Sequence, residues 1–238
     1  VNITGMIAAV IFEAISARIN KTSKRVMQDP RHRAVMRTLM LLSQSGYLAG
    51  EKRVGLYILK MIQLSLKQGV APESALAYPM FGALLITFLG TIEKGYRYGV
   101  LTIDENITAS DPDFTTTTTQ HTLLTNDFII PWRHHLRETL EPLTQASNTR
   151  LQPGDIAFAM FAAVTASTNA FLLGQELNSL DANLRLYSEQ AHQFNQTPVL
   201  GLTCIYRQAV SNLMKPGTNP WLLQGDIYNE QALNADVD

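Results

Sequence analysis

The sequence predicts an all-α chain in which about five helix hairpins stack into an α-α superhelix, or solenoid. Three observations lead there. A glycine follows an apolar helical run at Gly50, Gly90, Gly174 and Gly217, with steps of 40, 84 and 43 residues. The long step is about two short ones, and near its midpoint Trp132-Arg133 breaks another apolar run; a period of about 42 residues suits stacked helix hairpins. Within each period, the helix before the glycine is apolar almost all round and the helix after it has one apolar stripe, as expected for inner and outer layers of a stack. Finally, no alternating apolar pattern of strand length stands up along the chain.

The elements follow in order. Apolar periodicity predicts helices over 3–20, 31–47, 51–68, 74–89, 92–105, 115–131, 134–147, 155–172, 176–194 and 198–214. Asp29-Pro30 and Thr197-Pro198 each place a capping side chain before a proline at a first helical position. Gly69 through Pro72 breaks the chain between units, and Pro153-Gly154-Asp155 marks another start. The Thr115–Thr119 run is strand-prone by itself, but its phase in the repeat makes it the start of a helix. The run Ile156 to Val164 typifies the inner helix, and Leu177, Leu180, Leu184, Tyr187 and Ala191 typify the outer stripe. Leu136, Leu140 and Leu143 repeat that stripe one unit earlier.

Composition narrows the functional classes. The 238 residues suffice for one continuous domain over 1–238 with a real core. A net charge of −1 gives no global attraction to nucleic acid. The lone Cys204 excludes an internal disulfide framework and fits a reducing compartment. Val1 opens on a helical pattern without a signal segment, so the chain reads as cytoplasmic and as a fragment of something longer. Ser74–Ile92 and Ile156–Gln175 carry no charge over 19 and 20 residues, near bilayer length. Pro79, Gly82 and Thr87 interrupt the first, Thr165, Ser167, Thr168 and Asn169 the second, and neither is flanked by basic clusters. Buried solenoid helices are expected there, without membrane insertion.

Catalytic chemistry is hard to assemble. There is no glycine loop ending in Lys-Ser/Thr and no His-Glu-x-x-His helix. His134 and His135 lie four and three residues before Glu138, which suits local ion pairs, including Arg137 to Glu141, better than a metal site. Lys21, Lys24, Arg25, Arg31, Arg33 and Arg37 make one segment basic, read as a solvated face. Cys204 has no adjacent histidine and is expected as a small core residue rather than a nucleophile. No catalytic residue, cofactor or metal is expected.

The candidate interaction or groove residues are Tyr96, Tyr98, Trp132, His135, Asn169, Tyr206 and Arg207. Tyr96 and Tyr98 lie within Gly95-Tyr96-Arg97-Tyr98-Gly99. Two glycines in a helix cost about 1 kcal/mol each relative to alanine, so close approach of a neighbouring helix is expected, with a ligand pocket as the alternative. Trp132 reads as an aromatic core residue first and a recognition residue second. Asn169, on an apolar helix, needs a hydrogen-bond partner; a neighbouring helix backbone is the bland choice and a ligand the sharper one.

The segment from Trp132 to Leu143, with Lys60–Leu66 and its turn to Ser74, Gly95–Gly99 and Ile205–Ala209, resembles the TPR-like helical region of very large bacterial signalling proteins. These carry a serine/threonine-kinase-like domain, an AAA-type ATPase module, the helical repeats, a GAF sensor domain and often a histidine kinase. Asn219-Pro220 through Glu230 is similar to the linker leading into the next repeat. The Thr115–Thr119 run and the Asp111-Pro112-Asp113 turn are more polar than that region. The resemblance spans about Asp29 to Glu230 and brings no catalytic residues with it. It implies a non-catalytic scaffold contacting other domains of the same chain or partner proteins, within a longer polypeptide that is itself a protein kinase with an ATPase module. The alternative is a sensory module binding a small molecule or peptide in the superhelical groove.

Overall fold

Helix ends are the part of this chain most directly written in its glycines. The computed structural model describes residues 3–19, 26–101, 117–148, 156–215 and 219–231. Expectations placed on Lys21, Lys24, Arg25, 102–105, Asp111–Asp113, Thr115, Thr116, Pro153–Asp155 and Gly217 lie outside them. The described residues form α1 (Ile3–Ile19), α2 (Pro30–Leu48), α3 (Val54–Gln68), α4 (Ser74–Leu89) and α5 (Ile92–Gly99). They continue with α6 (Thr117–Phe128), α7 (Leu140–Ser147), α8 (Ile156–Leu172), α9 (Leu177–Gln193) and α10 (Thr197–Met214). Short 3-10 helices cover Ile130–Trp132 and Leu136–Thr139. Extended pairing among the described residues is limited to isolated bridges, Val26 with Val70 and Gln224 with Asn229. The chain is all-α.

Gly50, Gly90 and Gly174 have φ of 65°, 63° and 72°, the left-handed region that favours glycine at a helix end. After Gly50 and Gly174 the next amide closes the helix on a carbonyl five residues back, Glu51 on Gly46 (2.8 Å) and Gln175 on Ala170 (3.0 Å). Asn195 (φ 54°) does the same work between α9 and α10, where Gln196 N reaches the Ala191 carbonyl at 2.8 Å. That tight reversal corrects one expectation. Gln196 takes the cap position of α10 and Thr197 already lies inside the helix. Asp29 does cap α2, accepting from Arg31 N at 2.8 Å with Pro30 in the first turn.

The chain forms two compact units, residues 1–134 and 135–238. In the first, α4 packs against α2, α3, α5 and α6, which is why so uncharged a helix is buried from Ser74 to Pro79 and again at Phe81, Gly82, Leu85 and Ile86. The tight turn before it is buried too, so its polar groups must be satisfied internally. Ala71 N donates to Ser74 Oγ (3.0 Å), Ser74 and Ser65 hydroxyls pair at 2.7 Å, and Met27 N donates to the Val70 carbonyl at 2.8 Å. In the second unit, α8 packs against α7, α9 and α10, and α9 buries Leu180, Leu184, Ser188 and Ala191 along one stripe.

The inner–outer contrast fails at α2. It precedes Gly50, yet Val35, Leu41, Leu42 and Tyr47 are exposed. Its main neighbours, α3 and α4, cover it on one side, so apolar residues on the other face remain in water. The helix expected over 134–147 is likewise two pieces, the 3-10 helix at Leu136–Thr139 and then α7.

The seam between α4 and α5 is made of glycine. A Cβ on Gly82 would stand 2.5 Å from the Gly95 carbonyl oxygen and 2.7 Å from Gly99 Cα. One on Gly95 would run into Ile86, and one on Gly99 would meet the Ile129 side chain at 2.7 Å. Close helix approach therefore accounts for both glycines of the Gly95–Gly99 segment.

Candidate functional site

The residues singled out in the sequence do not converge on one place. In the first unit, Tyr96 belongs to a surface cluster where the helix ends after α6. Its ring stacks on His134 (centroids 5.3 Å apart, planes at 28°) and its hydroxyl lies 2.9 Å from His134 Nε2. The Arg133 guanidinium sits over the same ring at 4.9 Å and pairs with Glu93 at 2.8 Å. Trp132, on the adjoining 3-10 helix, is 52% exposed. It is not the core aromatic the sequence suggests; the buried side chain here is Ile129, which lies against Gly99.

Tyr98 lies elsewhere. It is buried, its ring is 5.8 Å from that of Phe81, and its hydroxyl donates to the Ser16 carbonyl of α1. Ser16 is one of the last four residues of α1, whose carbonyls have no partner within the helix. Tyr98 thus satisfies a helix terminus.

In the second unit, Asn169 is buried and donates from Nδ2 to Thr139 Oγ1 at 2.8 Å; the Thr139 hydroxyl donates onward to the Leu136 carbonyl at 2.7 Å. The partner is a neighbouring side chain, not the backbone, and this bond links α8 to the 3-10 helix before α7. His135 caps that same 3-10 helix, its Nδ1 accepting from Arg137 N at 3.2 Å. Arg137 is not ion-paired with Glu141, which instead accepts from Gln145 Nε2 at 3.1 Å. Tyr206 meets Phe171 edge-on at 6.2 Å, and Arg207 Nε donates to Asp181 at 3.3 Å.

Arg207 also lines an open cleft of about 530 Å³, with His192, Cys204 and Asp226. Cys204 is half-buried there, not a core residue, and desolvation pushes its thiol up from the ordinary range although Arg207 opposes the shift. Among the described residues no group of three or more His, Cys, Asp or Glu is gathered as for a metal ion. No helix among them is long and apolar enough to cross a membrane.

One pair of amides went unmarked in the sequence. Gln208 is buried on α10; its Nε2 donates to Asn212 Oδ1 (2.7 Å), and its Oε1 accepts from Ile227 N and Tyr228 N, each at 3.2 Å. Asn212 Nδ2 donates to the Leu222 carbonyl at 2.7 Å. Together they hold the 219–231 segment on α10. Two amides four residues apart on one face of a helix were the available signal.

No protein-family model matches the chain, and no solved structure matches it. The chain is 24% identical over 165 residues, 69% of its length, to a hybrid signal transduction histidine kinase (G) of Dictyostelium discoideum. It spans about 5% of that protein's length. The similarity is distant and partial, and assigns no family.

Proposed function

We propose that this chain is a TPR-like helical-repeat scaffold, non-catalytic in itself, that holds other modules of a signal-transduction kinase or partner proteins. The observation that carries the reading is how each unit is built. A near-charge-free helix, α4 or α8, touches the described helices on both sides of it and further helices beyond them (α2 and α6 around α4, α10 beside α8). Hairpin stacking produces that pattern. The likeness over 165 residues to a hybrid signal transduction histidine kinase supports a place in signal transduction.

A groove that senses a small molecule is the competing reading. Its sequence support has been absorbed by packing: Gly95 and Gly99 accommodate neighbouring side chains and backbone, and Asn169 has a protein partner. Mixing the purified chain with kinase, ATPase and sensor modules encoded on the same polypeptide tests the scaffold reading. Size-exclusion chromatography with light scattering should show a stoichiometric complex with at least one of them. Failure to bind any of them counts against the scaffold.

A further inference from the structure

The outer surface of α1 and α3 carries charge of one sign only. Between the two helices lies a cleft of about 470 Å³, a size usual for binding clefts, which run to about 300–1,000 Å³. Its floor is aliphatic, made by Ile11, Ala14, Ile15 and Leu66, and two cations, Arg18 and Lys67, stand at its edge. Neither side chain has an ion-pair or hydrogen-bond partner among the described residues. The helix α3 holds no acidic residue, and the single one of α1, Glu13, is paired with Lys94 of α5 at 3.3 Å.

Arg18 and Lys67 each lie in the last turn of a helix, where the helix dipole favours a cation. That dipole supplies only about half a negative charge per helix, so two full charges are half offset and a net positive charge stays at the cleft. Lys60 is exposed, and its spacing puts it on one stripe of α3 with Gln63 and Lys67. Leu56, 61% exposed, continues that stripe as an uncovered apolar anchor.

We propose that this cleft and the adjoining stripe of α3 dock an acidic, aliphatic segment of a partner protein. Its carboxylates meet Lys60 at one place and Arg18 with Lys67 at another, about 10 Å further along α3. Its aliphatic side chains enter the cleft and cover Leu56. The segment adds to the surface and displaces nothing, because Phe12 and Ile15 of α1 stay in the core. Charge complementarity selects an anionic partner, and shape selects among anionic partners. The described lining holds no aromatic ring on which a base could stack, and a recess takes a protruding chain rather than the plane of a bilayer. The inference rests on the scaffold reading, for which it names the chemistry of what is held.

Two measurements on the full chain test this. Octanoate stands in for one carboxylate on an aliphatic chain, and the methyl resonances of Ile11, Ala14, Ile15 and Leu66 report its binding. They should shift with an affinity at least about tenfold above that for octylammonium, which has the same tail and the opposite charge. Arg18→Glu with Lys67→Glu should abolish that preference. The same double variant should weaken the complex with the bound kinase, ATPase or sensor module at least about tenfold, while Arg137→Glu, in the second unit, leaves it unchanged. Should the reversed pair not fold, because both sites lie at helix ends, Arg18→Gln with Lys67→Gln removes the charges and weakens the complex about two- to tenfold. Equal affinity for the two probes, or a complex indifferent to the double variants, overturns the proposal. So does a fatty acid retained through purification, which would make the occupant a lipid. If no module binds, the scaffold reading fails, whereas the octanoate titration still decides the chemistry of the cleft.

Discussion

Adding one methyl group at Gly82 should cost this fold more stability than its size suggests. The new Cβ would stand 2.5 Å from the Gly95 carbonyl oxygen, 2.7 Å from Gly99 Cα and 2.8 Å from Gly99 N. All three are backbone atoms, so no side-chain rotation relieves the contact. Restoring about 3.5 Å requires α5 to retreat by roughly 1 Å, a gap that forfeits a quarter to a half of each dispersion contact along the seam. Overpacking of this kind costs up to about 3 kcal/mol, while alanine gains about 1 kcal/mol over glycine in a helix. The net loss is about 2 kcal/mol, or about 4–8 °C in melting temperature for a chain of this size. Gly201→Ala is the matched control, because a Cβ there meets nothing within 4 Å on α10. It should raise the melting temperature by about 2–4 °C through propensity alone. Thermal circular dichroism on both variants decides the matter. Gly82→Ala melting at or above the wild type refutes the close-approach account of α4 and α5.

Other expectations concern single polar groups. The Glu176 carboxylate caps α9, and bonds from the Ser179 side chain and amide, with the Asn178 amide, hold it down at about 2 against an ordinary 4.5. Because the folded value is the lower one, its contribution is present above about pH 4.5 and is lost as pH falls toward 2. Glu176→Gln should therefore melt below wild type at pH 7 and converge with it near pH 2; a constant difference across that range contradicts the cap. Burial pushes Tyr78 up to about 12, and its hydroxyl has no hydrogen-bond partner among the described residues. Tyr78→Phe should be neutral or stabilising by up to about 1 kcal/mol in a denaturant melt, and a clear loss would show that the hydroxyl is bonded. Gln208→Ala removes the acceptor for Ile227 N and Tyr228 N, so limited proteolysis should cut 219–231 faster while α8 and α9 stay intact. An unchanged cleavage rate would mean the segment is held by something else.

The helices were legible because their signals are local. Glycine in the left-handed region ends a helix wherever it falls, and Asp29-Pro30 starts one, so boundaries at Gly50, Gly90, Gly174 and Pro30 could be read directly. Asn195 was missed because asparagine enters that conformation less often and carries no fixed meaning in sequence. The Gly95 and Gly99 contact was legible as a need but not as a partner: nothing in the sequence pairs them with Gly82. Long-range bonds were hidden for the same reason. Tyr98 with Ser16 and Gln208 with Tyr228 join residues whose separation follows no local period. Trp132 misled because large aromatics favour the interior, whereas here the buried residue is Ile129 and Trp132 lies exposed on the 3-10 helix after it.

The scaffold reading is most directly tested by native mass spectrometry of the purified chain without detergent. It predicts the bare protein mass, with no companion lost on denaturation. A reproducible additional small-molecule mass that disappears on denaturation would contradict it and make the chain a ligand-binding sensor module.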